Sequence, residues 1–332
     1  MIPEMTFTGF LKVISADKRT SNKNGSQYLD MTLGDRTGDM NAKVWDQNAQ
    51  PPKIGSIVKV QAAIQEYNGR LQMKILRIRQ AVPEDPVEMD ALMKCAPEKP
   101  DAMLGELKAA VEAMQWEDLK KLMRAMLDSV GDKLCYYPAA QRLHHAERSG
   151  LLHHTVSMLR VAKAVAPLYP FLNEDLLFAG VIAHDLDKTV EMCAQEDGTV
   201  SDYTAEGLLI GHLVDGVTRV RECAKQAGVD GECVMLLSHM LLSHHGQPEF
   251  GSPKAPMFPE AEALHMIDDL DAKLNEMEDV MQRTPEGVFS EKIWSLDRRL
   301  YHPKYPKMEA EDAPETRCDA RNDELYNGLL GR

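Results

Sequence analysis

The histidines of this chain are concentrated in one part of the sequence. Ten of the eleven lie between His144 and His265, several of them within apolar runs. Imidazole and carboxylate groups in apolar surroundings cost free energy unless hydrogen bonds or a cation compensate them. A divalent cation does so well, because both groups are natural ligands of transition metals. The sequence therefore predicts a metal centre in this region.

Two short motifs each end an apolar run that has helical spacing. His184-Asp185 ends the first run, and Lys188 lies about one turn further on, where its ammonium group can neutralise a phosphate oxygen. His244-His245 ends the second run. Taken alone, the His-Asp dipeptide arises often by chance, and the His-His pair favours two capping or surface histidines.

Single residues on other predicted helices add to these motifs. His154, His212 and Asp268 each lie among apolar residues, where one such residue alone favours a hydrogen-bonded core position. Their occurrence together in one helical region favours a metal centre instead. The predicted metal ligands are His154, His184, Asp185, His212, His244, His245 and Asp268, and the predicted catalytic residues are Asp185 and Lys188.

The elements that must position these residues fall into two parts. Five short β-branched or alternating runs (6–14, 27–33, 39–45, 57–66 and 69–78) are separated by Asn-Gly, Thr-Gly and Pro-Pro turn residues. This pattern predicts an all-β barrel of the OB-fold type over residues 1–82. We expect a linker at 83–100, an all-α bundle at 101–302 in which residues 206–227 form one helix, and a mobile tail at 303–332 rich in charges and proline.

The net charge of −14 is unevenly distributed. Residues 1–82 contain 12 lysines and arginines against 7 acidic residues, so this part is basic and the remainder strongly acidic. A basic domain attracts phosphates and an acidic one attracts cations. No apolar run reaches the roughly 18 residues that a membrane helix needs, and the six cysteines are scattered. We therefore expect a cytoplasmic protein.

The ordered set His154, His184-Asp185 and Asp268 resembles the HD superfamily of metal-dependent phosphohydrolases. More narrowly, the chain resembles the YhaM-type 3′-to-5′ exoribonucleases, which join an OB-fold to an HD domain. The stretches that carry this second resemblance include residues 149–155, 239–246 and 267–272. The family usually has glycine between the His-Asp pair and the lysine, whereas this chain has Asp187. That difference leaves rate and substrate choice open.

The resemblance implies two ions bridged by Asp185. It assigns His154, His184 and Asp268 to one ion, and His212, His244 and His245 to the other. Mixed imidazole and carboxylate ligands suit Mn²⁺, Fe²⁺ or Co²⁺ better than Mg²⁺, and we expect Mn²⁺ to support activity. Asp271, one turn after Asp268, is expected to orient a ligand.

Substrate contacts are predicted in both domains, each weighed against a purely structural role. In the helical domain the candidates are His145 and Glu249. In the barrel they are the aromatic residues Tyr28, Trp45 and Tyr67 with the basic residues Lys43 and Arg70, because OB-folds bind single strands by stacking and a basic groove.

The predicted function is a metal-dependent 3′-to-5′ exonuclease of single-stranded RNA, with DNA left open and the RNA preference resting on the resemblance. The alternatives are an HD phosphohydrolase of small nucleotides and a weakly active nucleic-acid-binding protein. The sequence predicts no membrane partner and does not reveal an oligomeric state.

Overall fold

The structure, a computed structural model, describes residues 5–20, 25–36, 38–46, 49–67, 70–141, 145–195 and 198–305, without the side chains of a few strand residues. The chain divides into two units between Cys95 and Ala96. The linker predicted at 83–100 stays a prediction of domain organisation. The tail predicted at 303–332 lies outside the described residues from position 306 onward.

The first unit is a closed five-stranded barrel, which confirms the predicted OB-fold architecture. β1 bends at a bulge near Val13, so that its first half pairs with β4 and its second half with β2. A short parallel pairing of β3 with β5 closes the barrel in the order β1-β2-β3-β5-β4. The strands are β1 (Met5–Thr20), β2 (Gln27–Asp35), β3 (Gly38–Val44), β4 (Ile57–Tyr67) and β5 (Arg70–Gln80).

Alternation along the strands fills the barrel interior. Leu29, Met31 and Leu33 of β2 are buried, and Val58 and Val60 of β4 face them from across the barrel core. Side chains at every second position of a strand point to the same face, so the intervening residues remain on the outside for contacts with a ligand. The short helix α1 (Met89–Leu92) contacts β1 and β2 in the same unit.

The second unit is built on a helical core. From Leu176 to Ala183, every residue of helix α5 except the half-buried Phe178 is buried, because the sequence is apolar around the whole circumference. It packs against α4, α9 and α10. The residues that directly follow its last residue, Ala183, therefore lie in the centre of the unit. The helices are α2 (Pro100–Ala113), α3 (Glu117–Val130), α4 (Gly150–Val165), α5 (Glu174–Ala183), α6 (Lys188–Glu191), α7 (Ala205–Leu209), α8 (His212–Ala227), α9 (Glu232–Ser243) and α10 (Pro259–Arg283).

Two predictions for this unit are corrected. It is not all-α, because it contains two antiparallel strand pairs, β6 (Met192–Ala194) with β7 (Val200–Tyr203) and β8 (Phe289–Ile293) with β9 (Arg298–Tyr301). These strands of three to five residues are too short to give a clear alternating pattern. The single helix predicted at 206–227 is interrupted at Gly211, whose φ of +79° lies in the left-handed region that glycine adopts without strain.

No helix among the described residues is both long and apolar enough to cross a membrane.

Candidate metal centre and nucleic-acid interface

Helix ends bring most of the predicted metal ligands together. His184 and Asp185 follow the last residue of α5, and His244 and His245 follow the last residue of α9. His212 is the first residue of α8, a position that depends on the interruption before it. The two remaining ligands lie on helices that pack against α5, and they are His154 in α4 and Asp268 in α10.

Asp185 lies at the centre of this group. Its Oδ2 atom is 3.2 Å from Nε2 of His184 and 3.9 Å from Nε2 of His154. Its Oδ1 atom is 3.4 Å from Nε2 of His212 and 3.7 Å from Nε2 of His244. Ligand atoms bound to one ion at about 2.1 Å lie about 3.0–3.4 Å apart, so these separations are close to those of a shared cation. Each carboxylate oxygen therefore faces its own pair of imidazoles.

The remaining ligands complete the same cluster. Asp268 Oδ1 lies 3.2 Å from Nε2 of His154. The donor atoms of His184, His244 and Asp268 lie within 4.8 Å of one another, and so do those of His212, His244 and His245. The structure thus brings all seven predicted ligands together, and we call this set the Asp185 cluster. His244 belongs to both groups, so the geometry alone does not divide the ligands as the resemblance does.

Hydrogen bonds orient each imidazole of the cluster. The Nδ1 atom of every ring lies close to a carbonyl or carboxylate oxygen, which only accepts hydrogen bonds. Each Nδ1 therefore carries the hydrogen, and each Nε2 keeps a lone pair directed at the cluster. The Nδ1 partners are Asp271 Oδ2 for His154 (2.7 Å), Val181 O for His184 (2.8 Å), Glu191 Oε2 for His212 (2.8 Å), Leu241 O for His244 (2.8 Å) and Phe250 O for His245 (2.8 Å).

Several inward-facing atoms are buried without a protein partner. In the part of the chain that the structure describes, Nε2 of His184, His212 and His244 and Oδ1 of Asp185 have no hydrogen bond. Leaving a buried polar group unsatisfied costs about 1–3 kcal/mol. Divalent cations would satisfy these nitrogen and oxygen donors together, so the residues present fit a metal centre.

The electrostatics of the cluster keep Asp185 and His245 in metal-binding form. Burial disfavours the charged carboxylate of Asp185, but His184 and Lys188 outweigh this and hold its pKa well below the usual range. The Nζ atom of Lys188 lies 2.7 Å from Asp185 Oδ2. Burial, together with repulsion from His244 and His212, lowers the pKa of His245 to about 4, so this imidazole is neutral near pH 7.

The barrel presents an aromatic pair with cations around it. Tyr28 and Trp45 stack with ring centroids 4.7 Å apart, and Trp45 is half exposed. The Nζ atom of Lys43 lies 5.3 Å from the centre of the Tyr28 ring. The side chains of Tyr67 and Arg70, also predicted to contact substrate, lie outside the described residues.

Next to this pair lies an open cavity of about 990 Å³ on the barrel surface. Trp45 forms part of its wall, and four of its lining residues are basic: Lys59, Lys74, Arg77 and Arg79. A half-exposed aromatic ring above a basic groove is the combination that OB-folds use for single strands.

Comparisons with known proteins agree with both units. Residues 7–81 match the family model described as OB-fold nucleic acid binding domain. Residues 151–273 match the HD domain model, and this range contains all seven members of the Asp185 cluster.

Full-length relatives decide the family. A Listeria innocua protein named 3′-5′ exoribonuclease YhaM is 44% identical over 300 residues, which cover 89% of this chain and 95% of the relative. The chain belongs to the YhaM family. Proteins of the same name from Listeria monocytogenes and a Geobacillus species are 44% and 42% identical, over 89% and 84% of this chain and 95% and 86% of the relatives.

The structure accounts for Asp187, the residue at which this YhaM-family chain departs from the expected glycine. Its side chain is 3% exposed and accepts hydrogen bonds from Arg219 Nε at 2.9 Å to both oxygens. Lys188 pairs with Asp185 instead. The backbone at Asp187 has φ −79° and ψ −3°, so the position does not require glycine. The extra charge is therefore neutralised within the protein.

Two predicted substrate contacts lie in different surroundings. Glu249 is exposed, in the loop whose Phe250 carbonyl accepts a hydrogen bond from His245. His145 is 2% exposed, with its Nε2 atom 2.9 Å from Asp271 Oδ2. The substrate contact predicted for His145 stays a prediction. His145 shares the Asp271 oxygen with Nδ1 of His154, and so lies on the side of the His154 ring that faces away from the cluster.

One residue of the centre was not predicted from the sequence. Glu191, which ends α6, fixes the ring of His212 through Nδ1. Its only sequence signal was its place on the same short helix as Lys188. The contacts of Asp271 are compatible with the orienting role expected for it. Its carboxylate accepts hydrogen bonds from His154 Nδ1, His145 Nε2 and the Ser157 hydroxyl.

Proposed function

We propose that this chain is a metal-dependent 3′-to-5′ exoribonuclease in which the Asp185 cluster hydrolyses phosphodiester bonds of single-stranded RNA. The names of the relatives supply the direction and the substrate class. The proposed hydrolysis rests on the position of Asp185, which has a pair of imidazoles at each carboxylate oxygen. Buried donor atoms of the ligands are directed at the centre of the cluster.

Hydrolysis of a phosphodiester requires an activated water and neutralisation of charge on the phosphoryl oxygens, and a pair of divalent cations at this centre would supply both. In our assignment Asp185 contacts both ions. The imidazole rings stay in place during turnover because each Nδ1 hydrogen is held by a fixed acceptor. The residues proposed for the first ion are His154, His184 and Asp268, and those for the second are His212, His244 and His245.

Lys188 contributes a fixed positive charge. Burial alone would lower its pKa, but the Asp185 carboxylate 2.7 Å away raises the pKa above the ordinary value. The ammonium group therefore stays protonated at neutral pH. We assign it two tasks, which are to hold Asp185 in a single orientation and to neutralise a phosphate oxygen at the edge of the cluster.

Mn²⁺ is the ion we propose for activity. The cluster combines five imidazoles with two carboxylates. Mg²⁺ prefers oxygen ligands and retains its waters, whereas Mn²⁺, Fe²⁺ and Co²⁺ accept mixed ligands.

The barrel is proposed to hold the RNA strand. Its bases would stack on Trp45 and Tyr28, and its phosphates would contact Lys43 and the basic residues of the adjacent cavity. Stacking is available to every base, so we expect little sequence preference. We propose that the protein acts in the cytoplasm, the location expected from the sequence.

A time course on 5′-labelled single-stranded RNA tests the proposal. Mn²⁺ should produce a ladder of products shortened from the 3′ end, and the metal-free protein should produce none. Asp185→Asn should lower the rate by about 10³-fold or more, because an amide would hold the cations that neutralise the phosphoryl oxygens much less tightly. Asp269→Asn, on the exposed face of α10, is the matched control and should keep the wild-type rate.

The same assay separates the alternatives. An enzyme for small nucleotides would hydrolyse a dinucleotide as fast as an oligomer, whereas a strand-holding exonuclease favours the oligomer. A protein that binds RNA without cleaving it, although Mn²⁺ is bound, would contradict the proposed hydrolysis. A deoxyribose oligomer of the same sequence shows whether the centre discriminates the 2′-hydroxyl.

A further inference from the structure

A second group of ligand-type side chains lies outside the Asp185 cluster. His145 and Glu147 precede α4, and His153 lies in its first turn. The Nδ1 atoms of the two histidines are 3.1 Å apart. Oε1 of Glu147 lies 3.0 Å from Nδ1 of His153 and 3.8 Å from Nδ1 of His145. We call these three residues the His145 triad.

Nδ1 of His145, Oε1 of Glu147 and Nδ1 of His153 form a triangle small enough for one metal ion to contact all three atoms. A point equidistant from all of them lies about 2 Å from each, which is the distance of Zn²⁺ from imidazole nitrogen and carboxylate oxygen. Two imidazoles and one glutamate are also a ligand set that zinc commonly has in proteins. The geometry of the triad is therefore that of a three-ligand metal site.

The tautomer of His145 agrees with this geometry. Its Nε2 atom lies 2.9 Å from Asp271 Oδ2, and a carboxylate oxygen accepts hydrogen bonds. His145 therefore places a hydrogen on Nε2, and its neutral form has the Nδ1 lone pair directed at His153 and Glu147. A carboxylate behind a ligating histidine is a frequent arrangement at metal sites.

The backbone that presents the triad is held in an uncommon conformation. His145 and Ser149 both have positive φ, +47° and +63°, where residues other than glycine are strained. Gly150 allows the loop to close, because a Cβ atom there would lie 2.0 Å from the His145 carbonyl oxygen. The loop is fixed by hydrogen bonds from Ser149 Oγ to Cys135 O and from His145 N to Asn275 Oδ1. Such strain is typical of functional sites.

We propose that the His145 triad binds one Zn²⁺ ion, separate from the ions of the Asp185 cluster. Nδ1 of His145, Oε1 of Glu147 and Nδ1 of His153 are the protein ligands. His145 and Glu147 are almost fully buried, whereas the side chain of His153 is 19% exposed, so water completes the tetrahedron on that side.

The ion would connect the loop to the Asp185 cluster. Asp271 Oδ2 contacts both His145 Nε2 and His154 Nδ1, so one carboxylate oxygen lies behind a ligand of each site. Zinc at the triad would hold His145 in place and thereby fix Asp271 and the ring of His154. The residues of the triad are thus positioning residues for the Asp185 cluster.

Metal content of the full-length protein tests the proposal. Protein loaded with Zn²⁺ and then dialysed should contain one ion more in the wild type than in Glu147→Gln or His153→Ala, measured by elemental mass spectrometry. Glu262→Gln, an exposed glutamate of α10, is the matched control and should keep the wild-type content. Equal zinc in the wild type and both triad variants would overturn the assignment.

A second measurement does not depend on variants. Crystals of the zinc-loaded wild-type protein should show an anomalous peak at the zinc edge between the three side chains. Asp185→Asn should lose signal at the Asp185 cluster while the triad peak remains, which separates this site from the proposed hydrolytic centre. Occupied ions at the Asp185 cluster without a peak at the triad would refute the zinc site, and the three side chains would then share a proton.

Discussion

The pair formed by Asp187 and Arg219 allows a sharp test of whether the unusual aspartate impairs catalysis. The Arg219 side chain is 17% exposed, and it binds Asp187 through Nε and Nη2 at 2.8–2.9 Å. Its Nη1 atom donates to Ser129 Oγ at 2.8 Å. Removing one partner of a buried ion pair costs about 3–5 kcal/mol. Since Arg219 keeps the Ser129 contact and some water, we expect a cost of about 2–4 kcal/mol for Asp187→Asn.

For a unit of this size, that loss should lower the midpoint of thermal unfolding by about 5–15 °C. Calorimetry on the full chain measures it for Asp187→Asn, Arg219→Met and the double variant. The double variant should be less destabilised than the sum of the single ones, by about 1–3 kcal/mol, because the two side chains interact directly. Additive effects would show that the pair contributes nothing.

Turnover of Asp187→Gly decides the functional question. If the charge of Asp187 repelled the substrate, glycine should raise the rate on RNA. Because Arg219 neutralises the carboxylate, we expect no rise at temperatures well below the unfolding transition. A several-fold increase in rate at such temperatures would refute this account.

Three further predictions concern the site and the barrel. Asp271→Asn should weaken Mn²⁺ binding by about 10–100-fold, measured by titration, since it removes the carboxylate behind His154; unchanged binding would contradict its orienting role. Trp45→Ala should weaken binding of an RNA oligomer by about 1–3 kcal/mol in an anisotropy assay, while hydrolysis of a dinucleotide stays near the wild-type rate; equal losses in both would indicate that the barrel acts structurally. Because the pKa of His245 is lowered from 6.5 to about 4, its contribution to stability in metal-free protein is complete above pH 6.5 and is lost as the pH falls towards 4. His245→Gln should therefore show a shallower loss of stability across that range in urea unfolding, and parallel curves would contradict the shift.

Much of the architecture could be predicted because it depends on local patterns. Strand alternation and turn residues predicted the five strands of the barrel, since the side-chain period of a strand is visible within a few residues. The fully apolar sequence of α5 indicated a buried helix ending at His184-Asp185. Met192–Ala194 and Val200–Tyr203 span only one to two side-chain periods, too few to indicate a strand by alternation.

The identity of the ligands was also accessible from the sequence, but not their geometry. Residue type and apolar surroundings singled out His154, His212 and Asp268, although they lie far apart along the chain. Which oxygen of Asp185 faces which imidazole depends on how α4, α9 and α10 pack around α5, and no local pattern encodes that packing. The same holds for the acceptors at Nδ1, such as Glu191 for His212.

Two residues show most clearly what tertiary structure decided. By sequence, Asp187 was an extra negative charge beside a proposed active site, and only its contact with Arg219, 32 positions away, shows that the charge is neutralised. By sequence, His145 was a candidate substrate contact, and the fold places it behind His154 of the cluster, against Asp271, 126 positions away. The sequence by itself determined which groups are available for chemistry, because that depends on residue type and local spacing. Partners, burial and hydrogen-bond direction depend on residues that are distant in sequence, and only the folded chain brings them together.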